Sequence, residues 1–123
     1  MIVGLGVDVV GLERFAEVLG RDGVAQRLFT ADELEAAEAR TRNRYVEWLA
    51  GRFAVKEALA KALGAPVGLV WTDVSVSSGR PELAVTGTVA AREAALGVTS
   101  SHVSITHDAG VAVAVVVLES EPR

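Results

Sequence analysis

Between Ile2 and Val10 the chain alternates: Val3, Leu5, Val7 and Val9 fall on one side of an extended segment, and Ile2, Gly4, Gly6, Asp8 and Val10 on the other. Side chains along a strand point to opposite faces in turn, so the pattern predicts a β-strand with one aliphatic face and one face of two glycines followed by an acid. Glycine inside a strand often marks close approach by another backbone or a ligand. Residues 11–19 fit a short helix. Thr30-Ala-Asp-Glu33 is a capping box, which starts a helix running to about Ala39. The longest predicted helix runs from about Asn43 to Leu63, where Gly64 suits its end and Pro66 stops its continuation. Strands at Asp73–Ser77 and Glu82–Thr86 follow, joined by Ser-Gly-Arg-Pro. Residues 88–96 read as a helix closed by Gly97, and Val103–Thr106 with Val111–Leu118 as a second hairpin around His-Asp-Ala-Gly. Helices and mostly antiparallel strands in this order make an α+β fold. No repeat, low-complexity tract or linker interrupts the pattern, so residues 1–123 read as a single domain.

Projection of the long helix at 100° per residue gathers Val46, Leu49, Ala50, Phe53, Ala54 and Ala60 on one side and Trp48, Val55, Leu59 and Ala62 on the other. A helix apolar on both sides is covered on both, by its own domain or by a neighbouring subunit. Glu57 falls near the middle of the first stripe, with Lys61 one turn further on. A carboxylate in an apolar stripe is costly without a partner. Two readings fit: an i,i+4 pair with Lys61, or a metal or catalytic carboxylate at the edge of a cleft. Asp8 poses the same choice, between a solvated strand end or helix cap and a functional acid. Together, two carboxylates suit Mg²⁺, which completes its shell with phosphate oxygens and waters, and a lysine adds a point charge for phosphate. His107 enters a tight turn and reads as a turn histidine or a phosphate ligand. His102 reads as structural, and its spacing from His107 argues against a shared zinc site.

Composition narrows the chemistry. There is no cysteine, which removes disulfides, thiolate metal sites and a cysteine nucleophile. Net charge is −4, giving no reason to expect nucleic acid. Basic residues are nevertheless clustered: Arg40, Arg42, Arg44, Arg52, Lys56 and Lys61 in one stretch, Arg14, Arg21 and Arg27 upstream. Such local clusters on an acidic chain point to anionic ligands at specific places. The N-terminal segment carries no basic leader and is broken by Gly4, Gly6 and Asp8, and the longest apolar run, Val111–Leu118, has strand length. Neither a signal peptide nor a membrane span is expected, and the expected location is the cytoplasm. There is no P-loop, nucleophile elbow or dinucleotide fingerprint.

Ile2-Val-Gly-Leu-Gly-Val-Asp8-Val-Val, with Arg14 beyond it, resembles the opening of holo-acyl-carrier-protein synthases. Arg52-Phe-Ala-Val-Lys56-Glu57-Ala-Leu-Ala-Lys61-Ala-Leu-Gly64 resembles their central helix. Trp71-Thr-Asp73-Val, Gly79-Arg-Pro81, Leu83-Ala-Val-Thr-Gly87 and His102-Val-Ser-Ile-Thr-His107 follow in that family's order, so the resemblance covers essentially the whole chain. Gly11 stands where many relatives carry Glu, and the turn around Gly79 is shorter than usual. The resemblance implies a phosphopantetheinyl transferase fold, a mostly antiparallel sheet packed on a long central helix, and a homotrimer with active sites between subunits. It implies Mg²⁺ held by Asp8 and Glu57, with Glu57 and Lys61 in the catalytic set. Coenzyme A, the donor, would be contacted by Lys61, His107 with Thr106, Arg52 and Lys56; Arg14 and Arg21 would meet the acyl carrier protein.

The reaction so implied moves 4′-phosphopantetheine from coenzyme A to a carrier serine and releases adenosine 3′,5′-bisphosphate. Three rivals stay open at this level. A trimeric module could bind coenzyme A or nucleotides without chemistry. A metal-dependent pyrophosphatase could release phosphopantetheine to water. A purely structural trimer would leave Glu57 in its stripe without a reason.

Overall fold

The computed structural model describes residues 1–122. In chain order they form β1 (Ile2–Gly11), α1 (Leu12–Leu19), α2 (Val24–Leu28), α3 (Ala31–Glu38), α4 (Arg42–Ala62), a 3₁₀ turn (Trp71–Asp73), β2 (Val74–Val76), β3 (Leu83–Val85), α5 (Gly87–Leu96), β4 (Val98–Asp108) and β5 (Val111–Ser120). All strand pairs are antiparallel, in a three-stranded sheet ordered β1-β5-β4 and a separate β2-β3 hairpin. The expected α+β class is the observed one. Helix α2 was not expected, because five residues are too few to display a helical period. Strand β4 begins at Val98 rather than Val103. Thr99, Ser100 and Ser101 carry no apolar alternation; Ser100 and Ser101 are held by pairing with β5, and Thr99 lies at a register shift.

Register assigns the faces. Asp8 pairs with Ala114, which pairs with Ile105; Val7 pairs with Val115, which pairs with Ser104. The inner face therefore holds Gly4, Gly6, Asp8, Ala112, Ala114, Val116, Leu118 and His107, and α4 lies across it. The glycines admit that helix: a Cβ on Gly6 would stand 2.7 Å from the Ala58 carbonyl carbon and 2.9 Å from the Ala62 nitrogen, and one on Gly4 would stand 2.9 Å from the Ala62 carbonyl carbon. The small-residue face of the strand is thus the one that packs, while Leu5, Val7 and Val9 remain 65 %, 54 % and 61 % exposed on the outer face.

Helix α4 is buried nearly all round, with Leu49, Ala54, Val55, Ala58 and Leu59 at or below 1 % exposure. The sheet covers one side, and α1, α3 and β2 cover the other with Phe15, Phe29, Ala37, Val74 and Val76. Its two-sided apolar pattern is satisfied within one chain.

Candidate active site

Four of the expected site residues come together where β1 ends beneath α1 and α4. Asp8, Arg14 and Glu57 line one cavity of about 360 Å³, whose other walls include Val10, Phe15, Val18, Leu28 and Phe53. Asp8 reaches this place because the glycines before it let β1 run flush against α4. Lys61 lies one helical turn beyond Glu57 and donates to Asp8 Oδ1 at 3.1 Å and to the Val7 carbonyl oxygen at 2.9 Å. Of the two readings of Glu57, the i,i+4 ion pair is not formed: the acid hydrogen-bonded to Lys61 is Asp8, from the strand. Partial burial pushes the Glu57 carboxyl above its ordinary range, the Asp8 charge pushes it further, and Lys61 opposes both. Two carboxylates at one cavity, with a lysine beside one of them, offer oxygen donors to a cation and an ammonium to an anion. Two oxygen donors with room for phosphate oxygens and water match the preference of Mg²⁺. Among the described residues, no group of three or more His, Cys, Asp or Glu offers a cage made by protein alone.

Other expected residues lie elsewhere. The Lys56 ammonium is buried and spent internally, donating to Glu33 Oε1 at 2.7 Å, to the Leu28 carbonyl at 2.8 Å and to the Trp71 carbonyl at 3.0 Å. Its place on α4 faces α2 and α3, at the centre of an internal network, and it does not line the cavity. Burial pulls its pKa down, and Glu33 opposes that shift. Arg52 is also buried, lies 4.1 Å from the Trp48 ring centre and donates to the Ser77 carbonyl at 2.9 Å. Burial, with the Arg40 charge alongside, lowers it to about 10. It faces the β2-β3 hairpin and does not line the cavity that holds Glu57. Thr106 pairs with Val113 on the outer sheet face, opposite to His107, because adjacent strand residues alternate. His107 itself lies on the inner face against α4 at Gly51, six residues before Glu57 in sequence, or about 9 Å along the helix. Arg21 is exposed just past α1 and does not line the cavity.

Sequence reasoning missed Glu33. Its Oε1 accepts from the Thr30 backbone at 2.8 Å, completing the capping box, while Oε2 accepts from the Val76 backbone at 2.8 Å. One carboxylate thereby ties α3, β2 and, through Lys56, α4 and α2. The capping signal was readable; the long-range partners carried none. Phe53 was also missed as a cavity wall, although it sits four residues before Glu57 and shares its face.

The model of the 4′-phosphopantetheinyl transferase superfamily matches residues 4–116. A holo-[acyl-carrier-protein] synthase of Streptomyces coelicolor is 57 % identical over 122 residues, covering 96 % of this chain and 98 % of the relative. The crystal structure of a Bacillus anthracis holo-(acyl-carrier-protein) synthase in complex with CoA (3′,5′-ADP) superposes with a TM-score of 0.80 at 36 % identity, covering 98 % of this chain and 99 % of that one. A Chronobacterium ammoniagenes ACPS–CoA complex does so with a TM-score of 0.82 at 31 % identity, covering 97 % and 98 %. With a superfamily match across nearly its whole length, a shared fold and more than half its residues in common with such a synthase, the chain belongs to the holo-[acyl-carrier-protein] synthase family of 4′-phosphopantetheinyl transferases.

Proposed function

We propose that the chain, as one domain of residues 1–123, transfers 4′-phosphopantetheine from coenzyme A to a serine of apo acyl carrier protein, in fatty acid or polyketide assembly. The observation that carries this is the meeting of Asp8 and Glu57 at a single cavity, with Lys61 hydrogen-bonded to Asp8, in a member of this family. Asp8 and Glu57 are the residues that would hold Mg²⁺, which when bound neutralises charge on the donor pyrophosphate. Lys61, exposed enough to turn from Asp8 toward a ligand, donates to phosphate oxygens and offsets the charge that builds on them. The carrier serine oxygen bonds to the phosphorus nearer pantetheine. The bond from that phosphorus to the bridging oxygen breaks, and adenosine 3′,5′-bisphosphate leaves. The serine proton passes to a water oriented by Glu57. The walls from Phe15, Val18, Leu28 and Phe53 make one side of the cavity apolar, which strengthens these charges relative to open water.

His107, along α4 from Glu57, is in reach of the nucleotide end of the donor. Arg14 at the cavity and Arg21 beyond α1 form the basic approach for an acidic carrier. We propose a homotrimer joined through the outer sheet face, supported by the exposure of Leu5, Val7 and Val9. Light scattering should give three chain masses; a monomer at micromolar concentration overturns the trimer. No described helix is long and apolar enough to cross a membrane, and the cysteine-free chain suits a cytoplasmic enzyme.

Incubation with coenzyme A, Mg²⁺ and apo acyl carrier protein tests the function. The carrier gains the mass of one phosphopantetheine group, with adenosine 3′,5′-bisphosphate as co-product. Binding of coenzyme A with no mass gain would make the chain a binding module; phosphopantetheine released to water would make it a pyrophosphatase. In the same assay Arg14→Ala raises KM for the carrier by about tenfold, one lost charge contact, and flattens its dependence on salt. An unchanged KM across ionic strengths removes Arg14 from the docking surface.

A further inference from the structure

Position 51 is the one glycine inside α4, where Ala50, Ala54, Ala58, Ala60 and Ala62 fill the other small positions. Alanine is the better helix former by a clear margin, so glycine here needs a reason. The reason lies on β4. A Cβ at Gly51 would stand 2.9 Å from His107 Nε2, 3.1 Å from Ile105 Cγ2 and 3.6 Å from His107 Cε1. The imidazole therefore rests edge-on against bare helix backbone. Its other nitrogen, Nδ1, faces Glu47 Oε1 at 3.9 Å, one turn earlier on the same helix. The ring stays partly open to solvent, with 29 % of the side chain exposed.

We propose that Gly51 and Glu47 are positioning residues that seat the His107 imidazole for its contact with the donor's phosphate groups; this rests on the reading of His107 as a donor contact. Glycine sets the depth at which the ring lies against α4, and the carboxylate sets which way Nδ1 turns. Neither touches the reacting atoms. The clash made by an added methyl falls on the end of a side chain and not on backbone, so the helix persists and the ring yields. Alanine's better helix propensity works in the same direction, toward a folded variant with a displaced imidazole.

The experiment is a double-mutant cycle on the full chain, read by steady-state kinetics and by the NMR signal of the imidazole. His107→Ala should raise KM for coenzyme A by about tenfold, the loss of one charge-assisted contact. Gly51→Ala should raise the same KM several-fold and shift the His107 ring resonance, which is readily assigned because the chain has only two histidines. In the His107→Ala background, Gly51→Ala should add nothing to KM, since the ring it would displace is gone and Ile105 Cγ2 is the near neighbour that remains. Glu47→Gln, which leaves the helix packing intact, should shift the resonance and raise KM by a smaller factor. If His107→Ala leaves KM for coenzyme A unchanged, the donor-contact reading fails and the seat loses its purpose. If His107→Ala raises KM but Gly51→Ala leaves both KM and the resonance in place, or acts equally with and without His107, the seat itself is overturned.

Discussion

Glu57→Gln is expected to leave a folded protein that transfers phosphopantetheine at least ~10³-fold more slowly, the scale of losing a group that stabilises charge in the transition state. Glutamine keeps the shape and the half-buried place on α4, so packing against Phe53 and the cavity wall is retained. What it removes is the charge. In the protein alone that charge is a liability, since burial and the Asp8 carboxylate both push the Glu57 pKa upward. The sign for folding follows. A carboxyl whose pKa is raised on folding contributes most below its unfolded pKa, and that contribution is lost as pH rises through the folded pKa. At neutral pH the neutral amide is relieved of this penalty. Without divalent cations, the variant should therefore melt at or slightly above the wild-type temperature. Adding Mg²⁺ should then raise the wild-type melting temperature and leave the variant's nearly unchanged, because a ligand stabilises only the state that binds it. Melting curves with and without Mg²⁺, beside the carrier mass assay, separate these effects. Near-normal transfer by the variant in Mg²⁺ buffer would remove Glu57 from the metal site.

The fold was legible wherever a period was long enough to count. The alternation from Ile2 to Val10 and the 3.6-residue pattern up to Leu63 gave β1 and α4, and the glycines at positions 4 and 6 foretold a close approach that turned out to be the α4 backbone. Asp8 and Glu57 stood out because acids in apolar settings are costly, and the structure gathers them with Lys61. What spacing does not encode is direction. Lys56 and Glu57 are neighbours in sequence, yet 100° of helical rotation sends one into the Glu33 network and the other into the cavity. Thr106 and His107 are neighbours too, and the strand puts them on opposite faces. The Lys56–Glu33 pair joins residues 23 apart in sequence, and Glu33 already had a local explanation as a cap. The two-sided α4 left open whether a neighbouring subunit covered it; its own chain does, and the unpartnered apolar surface is instead the outer face of β1.

The packing of the glycine face of β1 on the α4 backbone makes Gly6→Ala the most damaging single-methyl change expected in the molecule. The new Cβ would meet the Ala58 carbonyl and the Ala62 nitrogen, which are backbone atoms of a buried helix with no side chain to swing aside. Strand and helix would have to separate, opening the layer that holds Ala58, Leu59, Val116 and Leu118 at or below 1 % exposure. Ordinary overpacking costs about 1–3 kcal/mol. A clash between two backbones belongs at or above the upper end, so a loss of about 3 kcal/mol or more is expected in denaturant unfolding, a large fraction of the stability of a domain this size. Gly11→Ala provides the control on the same strand: its Cβ would meet nothing within 4 Å and its φ is an ordinary −74°, so its stability should change by no more than about 0.5 kcal/mol. Whatever Gly6→Ala protein survives should also lose transfer beyond its unfolded fraction, because Asp8 lies two residues further along the strand and is placed against Glu57 and Lys61 only while β1 lies flush on α4. A Gly6→Ala protein as stable and active as the wild type would mean that β1 does not lie against α4 in this way. The two carboxylates would then have no means of facing one another.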